Sequence, residues 1–231
     1  MRTMQEGRSM IEMLGVLAII GVLTVGGIAG YTKAMTKYKT NKIKSQVTSI
    51  VANIRTIYGS QISYNGLNNK TAVQMDVIPE EMIVNDGNGQ LKNAFGGQVF
   101  LGSGSIGNSV SGVKNDRKAF VIEYVGLPRA ACTDLASSDW GSGSSSGLMG
   151  LKAMGTQKLS DTTSTVDGAN DVPEIQFQHG GAACKGVPAT QGSIVACAGG
   201  TQVSVPVPVA QAAIACNCGS GNTCSVIWKY F

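Results

Sequence analysis

Residues 7–32 read GRSMIEMLGVLAIIGVLTVGGIAGYT, and this stretch decides the architecture. From Met13 to Thr32 twenty residues pass without a charge. At about 1.5 Å rise per residue such a helix spans about 30 Å, the thickness of a bilayer's hydrocarbon core. Glu12 is the lone carboxylate, placed where the uncharged run begins. An ionisable group inside a membrane is costly and marks a functional site by default. Upstream, residues 1–7 form a short polar leader that closes on Gly7. A cleaved secretory signal has a basic start, a short apolar core and a small-residue cleavage site after that core. Here the apolar run passes straight into a helical pattern, so the run itself is retained. Leader and Glu12 together point to a protein held in a membrane only temporarily.

The span holds Gly15, Gly21, Gly26, Gly27 and Gly30 but no proline. Glycines let membrane helices approach closely. Each also lowers helix stability by about 1 kcal/mol, so the helix is packed closely or is able to unwind partly outside lipid. After Lys33 the pattern becomes amphipathic. Ile43, Val47, Ile50, Val51, Ile54, Ile57 and Tyr58 form one stripe of a 3.6-residue period. Thr40, Lys44, Thr48 and Arg55 fall on the other face. Gly59 is a C-terminal stop. The expectation is one helix over 8–58, divided into a membrane half (8–32) and an amphipathic half (33–59) that lays its stripe on a head formed by 60–231.

The head is short of charge and rich in turn formers. The chain has 231 residues, 43% hydrophobic and 14% charged, with 31 glycines, which argues against disorder and for strands and long loops. Charge is divided unevenly. Residues 8–59 carry seven basic groups and one acid, whereas residues 60–231 carry ten basic and twelve acidic. The basic stretch matches no nucleic-acid-binding motif and has only Tyr31 and Tyr38 near it, so no nucleic-acid partner is expected. Its two readings are a solvated basic face beside a membrane and stalk-to-head attraction between copies. The six cysteines, Cys132, Cys184, Cys197, Cys216, Cys218 and Cys224, all lie in the C-terminal 100 residues. An even number in a Gly/Ser-rich head reads as disulfides in an oxidising compartment. Cys216-Asn217-Cys218 followed by Cys224 lacks the paired C-x-x-C spacing of zinc ribbons, so no metal is expected. The lysines after the span would place that side in the cytoplasm by the positive-inside rule. The cysteines place it outside, and a six-cysteine cytosolic head without metal spacing is the harder case to explain.

Gly7, Glu12 five residues on, an uncharged span and an amphipathic helix together resemble the type IV pilin superfamily. Within the head, the order Asn69-Lys70-Thr71-Ala72-Val73, Ile78-Pro79-Glu80-Glu81-Met82, Asn93-Ala94-Phe95-Gly96-Gly97-Gln98-Val99 and 208–217, closing on Ser225-Val226-Ile227-Trp228-Lys229-Tyr230, is similar to type IVb pilins. The resemblance implies an α+β fold, a long N-terminal helix packed on an antiparallel β-sheet head. It implies cleavage between Gly7 and Arg8 by a prepilin peptidase, with methylation of the new Arg8 amine possible. It also implies pairing of Glu12 with the Arg8 amine of a neighbouring copy, and a path from inner-membrane precursor, through membrane assembly machinery, to an extracellular helical filament. No enzyme activity and no cofactor are implied. Arg8 stands where the family tends to have Phe, Met or Leu, and the leader is shorter than type IVb leaders usually are. The resemblance further implies Cys132 with Cys216, and Cys184 with Cys197 and Cys218 with Cys224 closing short loops. Six cysteines allow fifteen pairings, and the residues alone leave Cys216 and Cys218 interchangeable. A minor pilin or secretion pseudopilin is the rival within the superfamily. A permanent single-span membrane protein with an extracytoplasmic binding domain is the rival outside it.

In the head, Val99–Leu101, Ala119–Val125 and Ser225–Tyr230 read as strands, with Met149–Ala153 and Glu174–Gln178 as weaker ones. Pro128 opens a helix carrying Cys132, and another helix covers about 208–215. Three motifs are refused. Gly102-Ser103-Gly104-Ser105-Ile106-Gly107 has the dinucleotide spacing but no helix after it. Gly143-Ser144-Ser145-Ser146-Gly147 lies in a Gly/Ser tract rather than a strand-to-helix elbow. His179, the only histidine, has no companion base. Glu80-Glu81 reads as a solvated turn. Asn69-Lys70-Thr71 reads either as a glycosylation acceptor or as a helix start with Asn69 as N-cap.

Overall fold

The computed structural model describes residues 10–85, 87–106, 117–141, 146–155, 175, 184–190, 192–219 and 223–231. Contacts divide the chain into two compact units, Met1–Tyr38 and Lys39–Phe231. Helix α1 runs Met10–Tyr58 without a break and stops one residue before Gly59. In the second unit its Ile43, Val47, Ile50, Val51 and Ile54 are buried in the head's main core. Each such aliphatic side chain contributes roughly 2 kcal/mol on leaving water. The stripe is shorter than its periodicity suggested, since Ile57 is 43% exposed. It is also wider. Thr40, expected on the solvent face, is buried, and so is Gln46, whose amide donates to Glu81 Oε1 at 2.8 Å.

Beyond α1 the chain forms α2 (Asn69–Gln74), a 3-10 turn at Glu80–Met82, and the strands β1 (Ile83–Asn85) and β2 (Gln90–Leu91). Next come β3 (Val99–Gly104), β4 (Ala119–Leu127), α3 (Arg129–Ser137) and β5 (Leu148–Met154). Last are β6 (Val187–Thr190), β7 (Ser193–Cys197), α4 (Val209–Ala215) and β8 (Cys224–Tyr230). β1 and β2 pair as a small ribbon, and the other six strands form one sheet in the order β3-β4-β8-β5-β7-β6. Every pairing in it is antiparallel. β8, last in sequence, is an inner strand between β4 and β5.

One sheet face, with Leu101, Phe120, Ile122, Tyr124, Leu151 and Trp228, shares the main core with α1. Tyr124 and Trp228 meet edge-on at 5.8 Å, a favoured aromatic geometry. The other face buries Val121, Ile227, Val195 and Met149 in a second cluster with Ile175. A sheet buried on both faces explains why β4 and β8 read as mainly apolar runs, interrupted by buried Glu123, Ser225 and Lys229, rather than alternating ones. Between Tyr124 and Leu127 the register shifts, and Gly126 there has φ +74°, a left-handed value suited to glycine.

The predicted strands at Val99, Ala119, Met149 and Ser225 all form, each slightly longer than expected. Residues 203–207 contain no strand, only the single bridge Cys197–Ser204. β6 and β7 were not anticipated. The Glu174–Gln178 candidate lies outside the described residues except for Ile175, which the structure leaves out of any strand. Gly102 and Gly104 lie within β3, paired to β4 rather than in a phosphate-cradling turn, while Gly107, residues 142–145 and His179 fall outside the described residues. The N-cap of α2 is Asn68, not Asn69. Asn68 Oδ1 accepts from the Thr71 amide at 3.0 Å, and Thr71 Oγ1 accepts from the Asn68 amide at 2.9 Å, a reciprocal capping box.

Candidate functional site

The first candidate is the apolar half of α1. Gly7 and Arg8 fall outside the described residues. Glu12 lies in the first described turn of the helix, exposed. Around it the surface is hydrocarbon, with Met10 87%, Ile11 76% and Val22 74% exposed. The hydroxyls in the run turn inward. Thr24 Oγ1 donates to the Ile20 carbonyl at 2.7 Å and Thr32 Oγ1 to the Ala29 carbonyl at 3.0 Å. An apolar environment requires that internal satisfaction of polar groups. A Cβ built at Gly15, Gly21, Gly26, Gly27 or Gly30 would meet nothing within 4 Å among the described residues. These glycines therefore answer to no packing need within the described chain. By length and composition the helix is able to cross a membrane.

In the head unit, polar contacts hold the amphipathic half of α1. Lys42 Nζ pairs with Glu81 Oε2 at 2.7 Å and Lys44 Nζ with Asp134 Oδ1 at 3.0 Å. Hydrogen bonds from Lys42 and Gln46 hold the Glu81 carboxyl below its usual range. Glu80-Glu81 is the exposed turn expected, and Glu81 is in addition a docking point for the helix. Asn53 Nδ2 donates to the Val77 carbonyl at 3.1 Å. Arg55, placed by periodicity on a solvent face, instead lies over the Tyr230 ring at 5.4 Å and donates to the Phe231 carbonyl at 3.2 Å. Gly147 (φ +60°) lies close under that guanidinium, and a Cβ there would collide with it.

The second candidate is the cysteine-rich region. The structure joins Cys132 in α3 to Cys216 at the end of α4, with Cα atoms 5.8 Å apart. It joins Cys184 to Cys197 at 5.7 Å and Cys218 to Cys224 at 5.3 Å. All three Cα separations are ordinary for disulfides. The first link closes a loop of 84 residues in separation and brings α3 against α4.

Two buried asparagines were missed as anchors. Asn69 Nδ2 donates to the Val99 carbonyl at 2.8 Å and Asn69 Oδ1 accepts from the Leu101 amide at 2.6 Å. Asn69 is 1% exposed, with both amide atoms engaged, so it is not a surface acceptor for a glycan. Asn93 Nδ2 donates to the Val125 carbonyl at 2.8 Å, and its Oδ1 accepts from the Phe95 and Gly97 amides at 2.8 and 3.2 Å. Gly97 runs so close to the Val125 carbonyl that a Cβ would overlap it. The sequence signal was the Asn93-x-Phe95-Gly96-Gly97 turn chemistry, which marks a loop pinned by a side chain.

Comparison with known proteins follows the same lines. The family model described as PilS N terminal matches residues 37–191. The major structural subunit of bundle-forming pilus from Escherichia coli O127:H6 (strain E2348/69 / EPEC) is 26% identical over 186 residues, 80% of this chain and 91% of that protein. The subunit of the same description from Escherichia coli O111:H- matches to the same extent. Among solved structures, TcpA, a type IV pilin from Vibrio cholerae El Tor biotype, superposes with a TM-score of 0.46 at 16% identity, covering 84% of this chain and 99% of that one. With its helix-and-sheet head and a family match across both, the chain belongs to the PilS N-terminal family, a type IVb pilin.

Proposed function

We propose that this chain is the structural subunit of an extracellular type IVb pilus filament. Its family is one of structural pilins rather than enzymes. The observation that carries the reading is the first half of α1. Its hydrocarbon surface is exposed over more than five turns, with one carboxylate, Glu12, in the first described turn. Such a surface is stable in lipid or among copies of itself and nowhere else. The glycines with open space around them suit close approach by neighbouring helices.

In this reading a prepilin peptidase cuts between Gly7 and Arg8 and the inner-membrane assembly machinery extracts the subunit. Glu12 of an incoming copy takes the Arg8 amine of a neighbour. An unpaired charge in the filament core is strongly unfavourable, so the pairing sets register, and head-to-tail contacts that never close build a helix. The relatives described as major structural subunits favour the shaft role over a minor pilin or pseudopilin.

Two substitutions test it. Gly7→Leu leaves the leader attached by mass spectrometry, and normal processing would overturn the peptidase step. Glu12→Ala leaves protein in the membrane and removes most extracellular filaments. Unchanged filament number in electron micrographs of sheared material sinks the pairing.

A further inference from the structure

The sulfurs of the Cys132–Cys216 and Cys218–Cys224 disulfides do not form separate staples. Sγ of Cys132 lies within 4.8 Å of Sγ of both Cys218 and Cys224. Cys132, Cys216 and Cys224 are fully buried, and Cys218 is 4% exposed. The Cys216 carbonyl oxygen lies 3.0 Å from Cys218 Sγ and 3.5 Å from Cys224 Sγ. A disulfide sulfur has no proton to give that oxygen, but a thiol at either position does, so an acceptor is already in place for whichever sulfur is released. Cys184–Cys197 belongs to the other core cluster, on the far face of the sheet.

We propose that these four cysteines are one thiol–disulfide exchange unit, which moves the tether of α3 between the end of α4 and the start of β8. A low-molecular-weight thiolate, such as glutathione, attacks Cys218 Sγ, the least buried of the four. The S–S bond to Cys224 breaks and its electron pair leaves on the Cys224 thiolate. Cys224 attacks the neighbouring Cys132 Sγ, forming Cys132–Cys224 and releasing the Cys216 thiolate. Cys216 attacks the mixed disulfide at Cys218, forming Cys216–Cys218 and returning the external thiolate. Two disulfides enter and two leave, so there is no net oxidation and the added thiol is catalytic. Cys216 is the C-cap of α4, and Cys224 is the first residue of β8. Exchange therefore frees α4 from α3 and ties α3 directly to the central sheet.

The test uses the full chain in detergent micelles. Cys218→Ser leaves a single thiol, formally on Cys224. After incubation at pH 8, acid quench, alkylation, reduction and a second alkylating label, fragmentation mass spectrometry locates that thiol. Exchange among similar thiols equilibrates within about tenfold, so about a tenth or more of the molecules should carry the first label on Cys216. Label confined to Cys224 overturns the proposal. The second arm needs no variant. The unsubstituted protein with catalytic glutathione should yield Cys132–Cys224 and Cys216–Cys218 peptides, forming about tenfold faster at pH 8 than at pH 7 as the thiolate fraction rises. Cys184–Cys197 should stay intact. Only the three starting pairs, or scrambling that draws in Cys184 and Cys197 equally, overturns it.

Discussion

Asn69→Ala should cost about 4 kcal/mol in the segment that joins α1 to the sheet. The amide group bridges α2 to strand β3 through two buried hydrogen bonds, to the Val99 carbonyl at 2.8 Å and from the Leu101 amide at 2.6 Å. β3 is an edge of the six-stranded sheet, so these backbone groups have no strand on that side. Truncation leaves a buried donor and a buried acceptor unsatisfied, each costing about 1–3 kcal/mol, or about 4 kcal/mol together. For a domain of this size that lowers Tm by roughly 10 °C. Urea unfolding of the full chain in micelles, followed by fluorescence of Trp140 and Trp228, measures it. Asn69→Asp sharpens the test. The carboxylate keeps an acceptor for Leu101 but turns an oxygen on the Val99 carbonyl, and burial raises its folded pKa. Its deficit relative to Asn69 is therefore small below the unfolded value of about 3.9, grows as pH rises through the raised folded value, and levels off above it. A loss under about 1 kcal/mol for Asn69→Ala, or a deficit in Asn69→Asp that does not change with pH, refutes the reasoning.

Paired Cys→Ser changes should rank by loop size. Chain-entropy arithmetic for separations of 84, 13 and 6 residues gives about 4–5, 3 and 2 kcal/mol. Denaturant midpoints showing Cys184–Cys197 as the costliest link would contradict that order. Glu81→Gln removes the ion pair to Lys42. The folded pKa of Glu81 is depressed, so its contribution is present above the unfolded value and is lost as pH falls through the folded one. Its side chain is 46% exposed, so the loss at pH 7 stays under about 1 kcal/mol and fades as pH falls through the folded value. A deficit that does not shrink with acidification rules out the electrostatic account.

The long helix, its stop before Gly59 and four of the strands were legible because each rests on local signals: a 3.6-residue period, a glycine after the last turn, runs of β-branched and aromatic residues. β6 was not, because Val187-Pro188-Ala189-Thr190 carries a proline and sits at a sheet edge, where pattern is weakest. β7, an inner strand of only five residues, is too short for its apolar run to decide between strand and helix. Thr40 and Arg55 were misassigned for a different reason. Helical periodicity gives the direction in which a side chain points, but not how far a neighbouring loop or strand reaches around the helix to meet it. Asn69 shows the same limit. Nothing near it in sequence announces that its partners lie at Val99 and Leu101, some thirty positions on. Glu12 stood out at once, since its oddity lies in the immediate sequence and needs no tertiary knowledge.

β8 comes last in sequence and sits between β4 and β5, so synthesis and architecture run in opposite orders. Until residues 224–230 arrive, β3–β4 and β5–β7–β6 are two half-sheets that share no strand. Their facing edges, β4 and β5, present unpaired backbone groups, and the bed that receives Trp228 stays open. A chain that has formed β3 to β7 but lacks β8 therefore carries two adhesive edges and an exposed apolar seam, features that invite aggregation and proteolysis. Closing the sheet and covering its apolar seam therefore wait on β8, whichever half-sheet forms first.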